Sequence, residues 1–196
     1  MIRIPFLFLL LIPTAITHAA VLIDEFSGSK HESRQALRGE WIYQDGVASC
    51  LSDPELYKEF KNHGPILRWP AKFTNGTVEF EFKPKDCQRV VITLNEEGHV
   101  FRMSLREPER TSIFGWIGRS SKENKSKQIV KEGVPSLNQL DGKWTQVKMR
   151  FKGNQATIQI GDYEEALTHA SIDRKKGEFT FSFAFGSCSV RNVRVK

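Results

Sequence analysis

Several things are scarce in this sequence, and each scarcity removes a class of protein. Cysteine occurs only at Cys50, Cys87 and Cys188, with no Cys-x-x-Cys pair, so the usual zinc frameworks are excluded. Three such cysteines permit one disulfide in an oxidising compartment and leave one thiol over. His31, His63, His99 and His169 are scattered without ligand spacing, and no Asp-rich loop suited to calcium is present. No strand–turn–helix elbow supports a Ser-His-Asp triad. The basic residues are dispersed and no recognition-helix or zinc-finger pattern occurs, which argues against nucleic acid as a partner. No long amphipathic helical pattern interrupts the chain, so βαβ folds are excluded.

Long apolar runs are absent except at the start. Met1-Ile2-Arg3 is a short basic opening, Ile4–Ile12 is almost wholly apolar, and Thr17-His18-Ala19 places a small residue at each critical cleavage position. That is a secretory signal peptide over residues 1–19, followed by one domain over 20–196. The run is too short to span a bilayer, and no later segment reaches about 18 apolar residues, so no membrane span is expected. No Cys follows it to carry a lipid. The expected location is outside the cytoplasm: periplasmic, cell-surface or secreted. The formal charge is +6 over 196 residues, a dispersed basic surface that suits acidic glycans as well as general solubility.

What the sequence does have is alternation. In Asn75–Lys83, Thr77, Glu79 and Glu81 point to one side of an extended chain, and Val78, Phe80 and Phe82 to the other. A half-buried strand of this kind needs a second sheet over its apolar face. The same period recurs in His99–Arg106, Trp144–Phe151, Gln155–Ile160 and Glu178–Phe185, the last with Phe179, Phe181, Phe183 and Phe185 on one face. Asp45-Gly46 between two short strands predicts a tight hairpin turn. Asp53 followed by Pro54 predicts a short capped helix. Ile66–Trp69, held between Pro65 and Pro70, predicts a brief edge strand. Lys30–Gly39 reads as loop or short helix. Strands at this spacing predict an all-β antiparallel sandwich.

Several segments together resemble the concanavalin A-like lectin/glucanase jelly rolls. They are Trp41–Leu51 with its Asp45-Gly46 turn, Gly76–Phe82, Trp144-Thr-Gln-Val-Lys-Met-Arg-Phe151 followed by Gly153-Asn154, and Gly177–Val195. Within that superfamily the chain looks most like the exported bacterial domains named for 3-keto-disaccharide hydrolysis, whose opening acidic-aromatic strand Ile23-Asp24-Glu25-Phe26 resembles. The resemblance implies a jelly roll that binds or hydrolyses a glycan on one sheet's polar face. Thr77-Val-Glu79-Phe-Glu81 carries two acids where the glucanase strand Glu-x-Asp-x-Glu carries three. Gln88–Leu94 lacks the Gly-Asn-Ser-Gly stretch of the keto-disaccharide group.

Glu79 and Glu81 are the candidate acid/base pair. Their Cα atoms lie about 6.5–7 Å apart along a strand, a spacing from which side chains reach the separations of retaining or inverting glycosidases. The competing reading is a solvated sheet face with cross-strand cations. Arg102 and Arg106, with Ser104 between them, are the candidate substrate-orienting pair. They suit sugar carboxylates or sulfates, or they pair with Glu79 and Glu81 across a sheet. Trp116 and Trp69, beside turns and prolines, are the candidate stacking platforms. Trp41 and Trp144 fall at core positions of the resembled family. No cofactor is expected, beyond a structural calcium at Asp24. Two further readings stand beside hydrolysis: a non-catalytic lectin-like or adhesion module, and a structural envelope protein.

Overall fold

Strands with one apolar face are stable only when a second layer covers that face, and the chain answers this by building two sheets. The structure, a computed structural model, describes residues 22–106, 112–129 and 133–196. The expected leader lies outside them. In order the elements are β1 (Leu22–Asp24), β2 (Gln35–Arg38), β3 (Ile42–Gln44), β4 (Val47–Leu51), helix α1 (Pro54–Glu59), β5 (Ile66–Phe73), β6 (Gly76–Lys85), β7 (Arg89–Asn95), β8 (His99–Arg106), β9 (Ser112–Gly115), β10 (Lys127–Gln128), α2 (Leu137–Leu140), β11 (Thr145–Lys152), β12 (Gln155–Ile160), β13 (Tyr163–Thr168), a 3₁₀ turn at Ala170–Asp173, β14 (Lys176–Ala184) and β15 (Ser187–Val195).

The first sheet runs β13-β12-β11-β6-β15-β4-β3, with β1 also on β15, and the second runs β10-β9-β8-β7-β14-β5-β2. Among the described strands every pairing is antiparallel. The chain crosses repeatedly from sheet to sheet, among other places between β5 and β6, β6 and β7, and β14 and β15. The all-β antiparallel sandwich is therefore the observed architecture.

The core lies between the sheets and is aromatic. Phe80 of the first sheet sits 5.4 Å and 5.8 Å, centroid to centroid, from Phe179 and Phe181 of the second. Phe82 meets Phe181 at 6.1 Å. Central strand β14 lies between β7 and β5, as its run of phenylalanines suggests. Phe185 departs from that run. Its φ is +61°, which ends the alternation, and its ring packs instead on Tyr57 of α1 at 4.8 Å.

Local chemistry explains most boundaries. Asp45 and Gly46 have φ of +51° and +75°, the mirror-turn geometry that matches strand twist. Asp53 caps α1, its Oδ1 accepting from the backbone N–H of Glu55 at 2.7 Å and of Leu56 at 3.3 Å. Strand β5 is longer than predicted and runs through Pro70. Its neighbour β2 pairs only as far as Arg68, so the proline's missing N–H falls where no partner waits. The segment read as loop or short helix holds β2.

Two buried charges brace the sandwich. Asp24 is fully buried. Its Oδ1 accepts from Arg34 Nη1 at 2.7 Å and from the backbone N–H of Phe26 at 3.0 Å, and its Oδ2 accepts from Trp69 Nε1 at 2.8 Å. The Arg34 guanidinium also lies 4.2 Å from the Tyr43 ring centroid. Lys176 is likewise buried. Its Nζ donates to the carbonyl of Thr74 at 2.8 Å and to that of Ile172, and lies 4.8 Å from the Phe151 ring centroid. The three cysteines are free thiols in the core, with Cys188 directly opposite Cys50 on adjacent strands.

Asp24→Ala leaves Arg34 charged and buried without its counterion, so it is expected to cost about 3–5 kcal/mol, read as a lower urea midpoint. Burial pulls the Lys176 ammonium down to about 8, the nearby Asp173 offsetting part of that. An unfolded lysine titrates near about 10.4. Between those values the unfolded chain binds more protons, so stability should rise with pH by up to about 1.4 kcal/mol per unit. Below about pH 8 this contribution to the slope vanishes. Lys176→Met, followed by urea unfolding across that range, should lose this rise.

Candidate functional site

The outer faces of the two sheets differ in how their charges are satisfied. On the first sheet Glu79 and Glu81 point outward from β6, as the alternation predicts. Strand β11 brings Lys148 opposite Glu79, and β15 brings Arg191 opposite Glu81. Lys148 Nζ lies 2.8 Å from Glu79 Oε1. Arg191 donates to Glu81 Oε2 through Nη2 at 2.6 Å and Nε at 3.0 Å, while Asn192 Nδ2 donates to Oε1 at 2.7 Å. The hydrogen bond from Lys148 holds the Glu79 carboxyl below the usual range. Burial pushes Glu81 up, but the hydrogen bonds from Arg191 and Asn192 outweigh it and the net direction is down. Both acids are held ionised, whereas an acid/base pair needs one that keeps its proton near neutrality. The Arg191 guanidinium also covers Trp144, 4.2 Å from the ring centroid. Trp144, expected in the core, is only partly buried.

Arg102, Ser104 and Arg106 project from β8 on the outer face of the second sheet, on the opposite side of the sandwich from Glu79 and Glu81. The structure does not bring the two pairs together. Across the ladder from β8 to β7, Thr93 faces Arg102, Val91 faces Ser104 and Arg89 faces Arg106. On the other side Phe114 of β9 faces Arg102. The Arg102 guanidinium lies 5.1 Å from the Phe114 ring centroid and 5.6 Å from that of Trp116. Its Nε is buried without a hydrogen-bond partner. Burial, with the like charges of Arg106 and Arg89, pulls its pKa below the ordinary guanidinium value.

Two outward residues of this face are covered by their neighbours: Thr93 is 5% exposed and Ser104 3%, although both point away from the core. Trp116 is 6% exposed, with the His99 ring 5.1 Å away. Strict alternation through His99–Arg106 would place His99 on the apolar face with Phe101, Met103 and Leu105. The register shift between Leu94 and Asn95 makes Val100 an extra residue on β8, and such a bulge re-aims the side chain before it. The His99 Nδ1 donates to Asn95 Oδ1 at 2.7 Å, and Asn95 Nδ2 donates to Glu178 Oε1 at 2.8 Å. Burial and the charge of Arg102 lower the His99 pKa. Arg174 staples the loop behind this wall. Its Nη1 donates to the carbonyls of His99, Trp116 and Gly118 at 3.2, 2.7 and 2.8 Å.

At the α1 end the face opens into a cleft of about 700 Å³ lined by Tyr57, Asp86, Gln88, Arg89, Arg106, Ala184 and Phe185. Arg89 Nη2 donates to the Tyr57 hydroxyl at 3.0 Å and to the Asn62 carbonyl at 3.2 Å. A further cleft, about 540 Å³, is lined among others by Ile42, Leu51, Leu56 and Pro65.

Trp69 is not a platform. It is 0% exposed, stacked on Phe179 at 5.1 Å and tied to Asp24. The bracketing prolines suggest an edge and a rim position, but β5 lies inside its sheet between β14 and β2, and its Trp turns inward. Asp24 does not offer a calcium seat, because both oxygens are taken by N–H donors. Among the described residues no group of three or more His, Cys, Asp or Glu could hold a metal ion. Sequence reasoning missed Arg89, Thr93 and Phe114. The alternation in Gln88–Asn95 could have placed the first two outward.

Neither a protein-family model nor a curated protein matches this chain. Solved structures do, by shape. The CBM2 module of the evolved Dit of Lactobacillus casei BL23 phage J-1 superposes with a TM-score of 0.63 at 12% identity, covering 89% of this chain and 93% of that one. The carbohydrate binding module CBM66 from Bacillus subtilis gives 0.54 at 13%, covering 83% and 94%. A Bacillus licheniformis β-glucanase gives 0.60 at 10%, covering 91% and 98%. At such identities the likeness is one of fold. It does not reach the 3-keto-disaccharide hydrolases. The chain has the concanavalin A-like jelly-roll fold.

Proposed function

We propose that this protein is an exported carbohydrate-binding module whose ligand lies on the outer face of the second sheet. One observation carries the reading: that face sets amide and imidazole groups beside a partly exposed aromatic ring. Asn95 and His99 supply hydrogen bonds, and Phe114, backed by the buried Trp116, supplies the apolar surface. Sugars present both chemistries at once, hydroxyl edges and C–H faces, and sites for them pair aromatic rings with fixed polar groups. The fold shared with carbohydrate-binding modules supports the same reading.

Binding without hydrolysis fits the state of the acids. Glu79 and Glu81, the acid/base candidates, are engaged by Lys148, Arg191 and Asn192 on the other sheet. In this reading they hold that sheet's face together. Arg102, Arg106 and Trp116 belong to the ligand face; Trp69 belongs to the core.

The test is a glycan array with the purified domain and product analysis of every hit. Retention without cleavage is expected. Cleavage abolished by Glu79→Gln or Glu81→Gln would overturn the binding-only reading in favour of a hydrolase. Phe114→Ala should weaken retention roughly tenfold, about 1.4 kcal/mol, while Glu79→Gln and Glu81→Gln leave it unchanged.

A further inference from the structure

Three arginines on the ligand face have no acidic partner among the described residues. Arg102 packs on Phe114 and Trp116 with its Nε buried and unpaired. Among the described residues Arg106 reaches the Ser104 hydroxyl, at 3.4 Å. Arg89, opposite Arg106, reaches Tyr57 and the Asn62 carbonyl. Among the described residues the carboxylates near them are otherwise engaged. Glu178 is held by Asn95 and by Arg68, whose Nη1 lies 3.4 Å from its Oε2. Asp86, at the cleft, accepts from Lys85 at 3.3 Å.

Three like charges gathered on one face repel one another, and a buried guanidinium N–H without an acceptor is costly. The first sheet shows the alternative within the same molecule, where each outward Glu of β6 meets a cation across the ladder. We infer that the missing counter-charge is carried by the ligand: the glycan is an acidic one, whose carboxylate or sulfate groups are read by Arg102 at one end and by the Arg106–Arg89 pair at the other. This rests on the glycan lying on this face. Four residues of extended strand separate Arg102 from Arg106, about 13 Å between Cα atoms. That spacing calls for an oligomer with repeated charge and not for a single acidic sugar. A planar fork on an aromatic wall suits either oxyanion, since both offer paired oxygens to a guanidinium.

The experiment compares dextran with dextran sulfate, and adds polygalacturonate as a carboxylate polymer and polyglutamate as an acidic polymer without sugar. Binding to dextran sulfate, to polygalacturonate or to both is expected, with dextran at least tenfold weaker. Affinity should fall several-fold between about 50 and 300 mM salt as the charges are screened. Preference between the two acidic sugars identifies the oxyanion. Arg102→Met should weaken the bound polymer by tenfold or more, and Arg106→Gln, at an exposed position, by a smaller factor with thermal unfolding unchanged. Equal binding of dextran would overturn the acidic-ligand inference while leaving the glycan module intact. Equal binding of polyglutamate, or unchanged affinity in both arginine variants, would also overturn it. Binding to no sugar polymer, here or on the array, would overturn both.

Discussion

A single buried carboxylate joins the parts of this molecule. Asp24 stands on a strand of the first sheet, takes the indole N–H of Trp69 from the second, and is neutralised by Arg34 from the loop between β1 and β2. A charge at such depth is tolerated only when its hydrogen-bonding capacity is filled. The network therefore specifies how the N-terminal strand, the following loop and strand β5 must meet. It explains why Trp69 is a core residue, and why the carboxylate has no room for a cation. Around this node the phenylalanine layers of β6 and β14 close the two sheets.

With the sheets closed, each outer face has its own chemistry. On the first, both glutamates of β6 are met by lysine and arginine from strands on either side, and Arg191 and Lys83 lie over Trp144. On the second, Arg89, Arg102 and Arg106 have no carboxylate partner among the described residues. Arg102 lies there over aromatic rings, hydroxyls are covered between strands, and a bulge turns His99 to join them. A face whose charges are satisfied is finished as it stands; a face with unbalanced, partly desolvated cations has a reason to hold something else. Electrostatics thus favours the second sheet, although acidic pairs on a strand are the more familiar sign of sugar chemistry.

Much of this was legible in the residues. Period-two alternation placed the inward and outward sides of β6, β11 and β12, because a strand with one covered face must keep its apolar residues in register. The Asp-Gly hairpin and the Asp-Pro helix start were legible because their backbone demands are local. Strand β2 was not, since Gln35-Ala36-Leu37-Arg38 has no alternation and its residues stay largely exposed on a sheet edge. Alternation alone puts His99 on the wrong face, because a bulge is a relation between two strands, invisible in one. Phe185 was counted with its run because the left-handed turn that ends the run lies at the phenylalanine itself.

The sequence by itself determined the strands, their two-sidedness and the need for a second layer, since burial of alternate apolar side chains is a local requirement repeated along the chain. It did not determine which sheet each strand joins. Glu79, Glu81, Arg102 and Arg106 all read as outward-facing, and all are. The chain crosses between sheets from β6 to β7, so the acids and the arginines emerge on opposite sides of the molecule. The arginine that meets Glu81 comes from 110 residues away. Only the tertiary structure decides which carboxylates are met by cations and which arginines are left facing a cleft.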